Sequence, residues 1–286
     1  MDLSTPWLVG VGIGALIAAV VGGLFLRSKP SADGRSFAIR VGKLWPGALM
    51  LGAASVAGWV GLMGWPRWPA VSGEDRLGWV YLLVTLLAVF AGLLQRSFAV
   101  RAGLAAVGAA TGAALTLYTP SAGVGALAGN IVTIALSAAG MLVGAGALSV
   151  LEWRGRRAGA AFILTGLALA AGAALALSSS ARLGFFAWSI VPACAIATAI
   201  SSLRKGAALG SAAYVCGACV LGATLIAGFS YSDLKPASAA ILALCPVLAL
   251  IADAVLTPML KPKMAAVAVI LCAAVPAGVA VMLSYR

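Results

Sequence analysis

Asp253 is the residue whose type and position point most directly to chemistry. The sequence has no histidine and only seven acidic residues, and Asp253 is the acid that falls within an apolar segment long enough to cross a membrane. A carboxylate within a membrane is costly and often belongs to a substrate or ion pathway. Its position is also about one helical turn from the predicted cytoplasmic end of its segment, where Lys261 or Lys263 could pair with it. Both roles remain open at this point.

Prolines and hydroxyl groups extend this candidate pathway to a second segment. Pro246 lies seven residues before Asp253 and shares its helix face, whereas Pro192 lies near the middle of another segment. Proline removes a backbone donor, and opened helices near the midplane often line transport sites, although proline is also ordinary in membrane helices. The predicted substrate or ion pathway consists of Asp253, Pro246, Pro192, Ser189, Thr198 and Ser201.

The composition disfavours catalysis and metal binding. Histidine is the commonest general base and the commonest metal ligand, and the chain has none. Two carboxylates suited to paired acid–base catalysis are not visible. Cys216 and Cys219 share one predicted helix face and could bind a soft metal, although cysteine also packs as a small apolar side chain. We expect no catalytic residues, no cofactor and no metal centre.

The elements that must position these residues are membrane helices. Apolar residues make up 63% of the chain, charged residues 9%, and the mean hydropathy is +1.10. A soluble domain carries ~25% charged residues, and a helix needs ~20 apolar residues to cross the hydrocarbon core. The prediction is an all-α, polytopic transmembrane helix bundle of about ten spans: Trp7–Leu26, Trp45–Trp65, Leu77–Leu94, Ala102–Tyr118, Asn130–Leu151, Ala158–Leu177, Leu183–Leu203, Ala207–Phe229, Ala237–Thr257 and Met264–Leu283.

The basic residues predict an orientation for this bundle. If the N-terminus lies outside, most of the 19 Lys and Arg residues fall in cytoplasmic connections, as the positive-inside rule requires. We therefore predict both termini on the non-cytoplasmic side of a bacterial-type cytoplasmic (inner) membrane. The basic residues left on the non-cytoplasmic side are Arg67, Arg76, Arg182, Lys235 and Arg286.

Small residues indicate how the helices pack. Glycines four residues apart let helix backbones approach closely, and we expect packing within the chain in preference to a dimer face. Residues 1–286 are predicted to form a single membrane domain. Ten spans also permit two halves of about 1–151 and 152–286, although the halves show no sequence similarity. The glycine pairs are Gly10 and Gly14, Gly108 and Gly112, and Gly140 and Gly144.

The leading hypothesis for function is a non-enzymatic, transporter-like membrane protein. The shortage of polar groups favours a neutral or amphipathic small molecule or a lipid over a highly charged substrate. The alternative is a non-catalytic accessory or structural subunit of a larger membrane complex, and a membrane-embedded enzyme is third. We expect contact with the lipid bilayer, other membrane subunits as candidate partners, and no nucleic acid, because no basic face is present.

The two leading hypotheses predict different interiors. A transporter should contain a polar or water-accessible cavity near the midplane that touches the seventh and ninth segments. An accessory subunit should have a filled interior.

Overall fold

The computed structural model describes residues 4–25, 45–65, 70, 73–94, 98–117, 131–178, 180–203 and 209–285. Within these residues the chain forms eleven helices and no strand, which confirms the predicted all-α class. The helices are α1 (Ser4–Phe25), α2 (Trp45–Met63), α3 (Gly73–Leu93), α4 (Phe98–Leu117), α5 (Ile131–Trp153), α6 (Arg157–Leu177), α7 (Ala181–Trp188), α8 (Val191–Leu203), α9 (Ser211–Tyr231), α10 (Pro236–Leu256) and α11 (Pro262–Ser284).

The helices coincide with the predicted segments to within about one helical turn at each end. Among the described residues, eight helical stretches are long and apolar enough to span a membrane, with α7 and α8 counted as one stretch. Shorter apolar stretches are Leu8–Val21 in α1 and Ala102–Leu117 in α4. The predicted ends Leu26, Tyr118, Asn130 and Ala207, and the basic residues Arg67 and Arg286, lie outside the described residues.

The seventh predicted segment differs from the expectation, because it is divided into α7 and α8. The division falls at Ser189 and Ile190, immediately before Pro192 in the first turn of α8. Proline has no N–H to donate to the carbonyl four residues earlier, here that of Trp188, so the helix ends and restarts. Pro246 and Pro276, in contrast, lie inside continuous helices.

The helices pack as a ring with α9 at its centre. Around the ring, neighbours in contact follow the order α1, α2, α3, α4, α5, α10, α11, α6, then α7 with α8, and back to α1. Helix α9 packs against seven helices, namely α2, α3, α4, α5, α6, α7 and α10. In this arrangement α1 packs against α2 and α8, and α11 against α6 and α10, so these two helices lie at the periphery.

The centre of the ring is filled by close contacts along α9. The Sδ–Cγ end of Met141 lies where a side chain at Gly222 would be, with Cγ 2.6 Å from the position of a Cβ. The buried Tyr81 hydroxyl forms a 2.7 Å hydrogen bond with the hydroxyl of Thr224, which in turn donates to Val220 O at 2.7 Å. The hydroxyls of Tyr81 and Thr224 are thus satisfied within the protein, as burial of polar groups requires.

Gly10 and Gly14 allow α1 and α2 to pack in close contact. A Cβ at Gly14 would lie 2.9 Å from Ala54 Cα, and one at Gly10 would lie 3.0 Å from Gly61 Cα and still closer to Ala57 O. These are backbone atoms, which cannot move away independently. The pair therefore has a packing role within the chain.

The other two glycine pairs are less crowded. A Cβ at Gly108 or Gly112 would find its nearest neighbours at ordinary van der Waals distances, 3.7 Å and 3.5 Å. A Cβ at Gly144 would meet Pro246 Cγ at 3.8 Å, and one at Gly140 would meet nothing within 4 Å. Gly140 and Gly144 line an apolar cavity between α5, α6, α9 and α10, which accounts for the open space beside them.

Candidate functional site

The Asp253 carboxylate is held by two arginines and a threonine. Arg156 Nε donates to Oδ1 at 3.0 Å, Arg154 Nη1 donates to Oδ2 at 3.4 Å, and Thr257 Oγ1 donates to Oδ1 at 2.9 Å. Asp253 is only 2% exposed. The expectation that Asp253 pairs with Lys261 or Lys263 is therefore corrected, since its ion-pair partners come from the α5–α6 connection.

The geometry of that connection explains the pairing. Helix α5 ends at Trp153 and α6 begins at Arg157, so only three residues join two antiparallel neighbours. Gly155 has φ of +89°, a left-handed conformation that glycine adopts without strain. The tight turn places Arg154 and Arg156 over the end of α10. Because α10 follows about a hundred residues later in the chain, sequence spacing alone could not reveal this contact.

Glu152 is a second buried acid at this end of the bundle. Both of its carboxylate oxygens lie 3.1 Å from the backbone N of Gly210, which donates to them and immediately precedes α9. A carboxylate at a helix N-terminus accepts a hydrogen bond from a backbone N–H that has no partner within the helix. Its negative charge also interacts favourably with the positive end of the helix dipole. The Tyr214 hydroxyl faces the same carboxylate but falls short of hydrogen-bond geometry. The end of α5 therefore anchors the central helix.

An apolar cavity of about 320 Å³ lies between α5, α6, α9 and α10, with the end of α4 at one side. Apart from Thr133 and Ser137, its described lining consists of apolar side chains and glycines. We refer to it as the α5–α10 cavity. Its lining is Leu117, Thr133, Leu136, Ser137, Gly140, Met141, Gly144, Leu148, Leu164, Leu167, Ala171, Ala218, Leu221, Gly222, Leu225, Ile226, Phe229, Pro236, Ala239, Leu242, Ala243 and Pro246.

Two backbone features leave room for this cavity. Gly140 and Gly144 present no side chain on the α5 wall, and Pro246 stands opposite them on α10. Pro246 also lacks the N–H that would bind the Leu242 carbonyl, although α10 remains helical through it. Helix α10 carries Pro246 at the cavity and, two turns further along, the buried Asp253. The cavity and the ion pairs of Asp253 therefore share one helix.

The predicted pathway residues fall into two separate places. Pro246 lines the α5–α10 cavity and Asp253 lies beyond it on α10, whereas Pro192, Ser189, Thr198 and Ser201 lie at the α7–α8 division or on α8. Helix α8 packs against α1, α2 and α6 rather than alongside α10. The cavity thus touches the ninth predicted segment but not the seventh.

The hydroxyls of Ser189 and Thr198, in the seventh segment, donate to carbonyls three or four residues earlier. Ser189 is buried and donates to Phe186 O at 2.6 Å, and Thr198 donates to Cys194 O at 2.8 Å. Ser201 is partly buried one turn further along α8. Such local bonds satisfy the hydroxyls without creating a polar channel.

All five cysteines are free thiols, and Cys272 is the exposed one. The four buried cysteines are Cys194, Cys216, Cys219 and Cys245. Among the described residues, no three His, Cys, Asp or Glu side chains are placed to hold a metal ion together. The expected absence of a metal centre stays a prediction. It is checked by measuring iron, zinc and copper in the purified protein.

Comparison with known proteins adds no functional assignment. No protein-family model matches this chain, and no curated protein matches it in sequence. Function therefore has to be argued from the geometry of the site, because a helical fold is compatible with many activities.

Proposed function

We propose that this is a transporter-like integral membrane protein that binds a lipid or another amphipathic small molecule in the α5–α10 cavity. The observation that carries the proposal is the lining of that cavity, which is apolar over nearly its whole described surface. A volume of about 320 Å³ lies within the range of small-molecule sites. Transferring a charged or strongly polar substrate into such surroundings would be unfavourable, whereas hydrocarbon would be accommodated readily.

The two hydroxyl residues indicate how an amphipathic ligand would be oriented. Thr133 and Ser137 lie in the first turns of α5, at the same end of the cavity as Pro236 at the start of α10. Towards Leu148 and Pro246 the lining is apolar. The polar part of a ligand would therefore lie near Thr133 and Ser137, and its apolar part would extend towards the middle of the bundle.

Gly144→Leu tests this proposal, and we expect it to weaken ligand binding about tenfold or more. The nearest atoms to a Cβ at this position are Pro246 Cγ at 3.8 Å and Ala243 O at 4.0 Å, so leucine fits against the backbone and fills the cavity. The measurement is a titration of the detergent-solubilised protein with a fluorescent fatty acid. Native mass spectrometry identifies lipids that co-purify.

Gly146→Leu is the matched control. Gly146 lies on the exposed face of the same helix, with nothing within 4 Å of a Cβ position. Binding by this variant should equal that of the wild type. If Gly144→Leu binds as tightly as Gly146→Leu, the ligand does not occupy the cavity and the proposal is wrong.

The accessory-subunit hypothesis remains the second candidate, and the position of α9 favours it. A helix that packs against seven others fills the centre of the ring, where a transporter would be expected to have a pathway. Mass spectrometry of proteins retained in mild detergent distinguishes the two. A partner present in equal amount, together with unchanged lipid binding in Gly144→Leu, would favour the accessory role.

The proposed topology is ten spans with both termini on the non-cytoplasmic side. Contacts between helix ends support it. Arg154 and Arg156 meet Asp253 at one end, while at the other end Arg182, in the first turn of α7, donates to Glu74, in the first turn of α3, at 3.3 Å. These two contacts lie at opposite ends of the bundle, as the proposed alternation of connections requires.

Reporter fusions test this topology directly. A reporter fused after Leu26 should be cytoplasmic, and one fused after Leu283 should be non-cytoplasmic, because an odd number of further crossings separates them. Paired alkaline phosphatase and green fluorescent protein fusions measure this. The same compartment for both fusions would show that the number of spans is wrong.

A further inference from the structure

A second cavity of about 210 Å³ lies at the Asp253 end of the bundle, and two arginines take part in its lining. We call it the arginine cavity. Its walls come from the α5–α6 connection, the first turns of α6, and α11. Arg156 and Arg157 are its charged members, and its apolar lining includes Ile163, Val269 and Ile270.

The charge around this cavity is positive. At this end the described residues include the basic side chains of the connection and of the start of α11, against only two acids, Glu152 and Asp253. Both acids are already engaged, Asp253 by arginines and Glu152 by the Gly210 N–H, with Arg157 also attracted to Glu152. Among the described residues, the positive charge at this end is therefore only partly compensated. The basic residues are Arg154, Arg156, Arg157, Lys261 and Lys263.

We propose that the arginine cavity binds the phosphate of an anionic phospholipid from the cytoplasmic leaflet. Guanidinium groups match phosphate oxygens in charge and geometry, and Arg157 supplies such a group at the cavity wall, with the charge of Arg156 beside it. The glycerol and first acyl carbons then rest on Ile163, Val269 and Ile270. Basic pockets between transmembrane helices at the cytoplasmic side suit anionic headgroups for these reasons.

This site is independent of the α5–α10 cavity, which has no charged residue in its described lining. The chemistry also explains why a phospholipid is favoured over a soluble phosphate. A soluble anion would gain nothing from the apolar floor, whereas a lipid buries its glycerol and acyl region there.

Two variants and a control test the proposal in the purified full-length protein. Arg157→Gln removes one charge from the cavity. Gly159→Leu keeps all charges but fills the space, and a Cβ there meets only Arg156 Cβ, at 3.8 Å, so leucine can be accommodated. The control is Lys261→Gln, which also removes one positive charge. Lys261 is exposed at the same end of the bundle but does not line the cavity.

The measurement is the affinity for phosphatidylglycerol in mixed micelles, titrated by native mass spectrometry with phosphatidylcholine as the neutral comparison. We expect wild type to prefer phosphatidylglycerol. Arg157→Gln should weaken its binding about fivefold, and Gly159→Leu at least as much. Lys261→Gln should change it by less than about twofold. Gly146→Leu, on the exposed face of α5 and outside both cavities, should leave phosphatidylglycerol binding unchanged.

Three outcomes would overturn the proposal. Equal binding of both lipids would remove the role of charge. Equal losses in Arg157→Gln and Lys261→Gln, with none in Gly159→Leu, would show diffuse surface attraction. Displacement of phosphatidylglycerol by inorganic phosphate at about 10 mM, in the range of weak single-anion binding, would assign the site to a soluble anion.

Discussion

Asp253→Ala is expected to lower the free energy of unfolding by about 3 kcal/mol. The carboxylate is 2% exposed and binds Arg154, Arg156 and Thr257, so its removal takes away the negative charge that both guanidinium groups bind. Breaking a buried ion pair costs ~3–5 kcal/mol, against ~0–1 kcal/mol for a surface pair. The side chains of Arg154 and Arg156 are 42% and 20% exposed. Because water can solvate their charges when the carboxylate is removed, we expect a loss of stability at the lower end of the range for buried pairs. Unfolding by SDS titration in mixed micelles measures it.

Lys263→Gln is the control for this prediction. Lys263 is exposed at the start of α11, near the same end of the bundle. Its replacement should change the unfolding free energy by less than about 0.5 kcal/mol. A loss in Lys263→Gln comparable to that in Asp253→Ala would restore the lysine pairing inferred from the sequence.

The double variant Asp253→Ala with Arg156→Ala gives a further check. Because the two residues are joined by an ion pair, the double variant should lose less stability than the two single variants added together. Additive losses would show that Arg156 and Asp253 do not interact in the membrane protein.

Gly10→Ala should destabilise the protein by about 2 kcal/mol through overpacking. The added methyl group would overlap Ala57 O and lie 3.0 Å from Gly61 Cα, both backbone atoms of α2. Helix α1 would have to move away from α2, with which it shares its most extensive interface. The same SDS titration measures the loss of stability.

Gly12→Ala is the matched substitution on the same helix. A Cβ at Gly12 meets nothing within 4 Å, so alanine adds no clash. Alanine also favours a helix by about 1 kcal/mol over glycine, and Gly12→Ala should be neutral or slightly stabilising. Equal effects of Gly10→Ala and Gly12→Ala would contradict the close packing of α1 on α2.

The positions of the helices could be read from the sequence to within about one turn because apolar segments of membrane length have few alternatives. Inside a bilayer the backbone must satisfy its own hydrogen bonds, and a helix does so locally. The division before Pro192 is the main difference. Pro192 and Pro246 have the same local chemistry, yet only the first divides a helix, so the surrounding packing decides whether a proline is tolerated.

The candidate sites were only partly predictable. Pro246 and Asp253 were recognised because an acid and a proline stand out in an apolar helix. The partner of Glu152 could not be predicted, because the N–H of Gly210 is a backbone group that no sequence pattern marks. The arginine partners of Asp253 were missed because a glycine turn brings them there across about a hundred residues.

The amino-acid sequence by itself determined that this protein is helical, rich in membrane-length apolar segments and poor in groups for catalysis. Those properties follow from composition and segment length, which act locally. The tertiary structure alone decided that α9 is central, that a cavity opens beside Gly144, and that Asp253 meets Arg156. The physical reason is that lipid and protein interior are equally apolar, so apolar residues do not reveal which helix face will meet a neighbour. Only the assembled bundle distinguishes Gly10 from Gly12. Gly10 lies in close contact with α2, whereas a Cβ at Gly12 would have no neighbour within 4 Å.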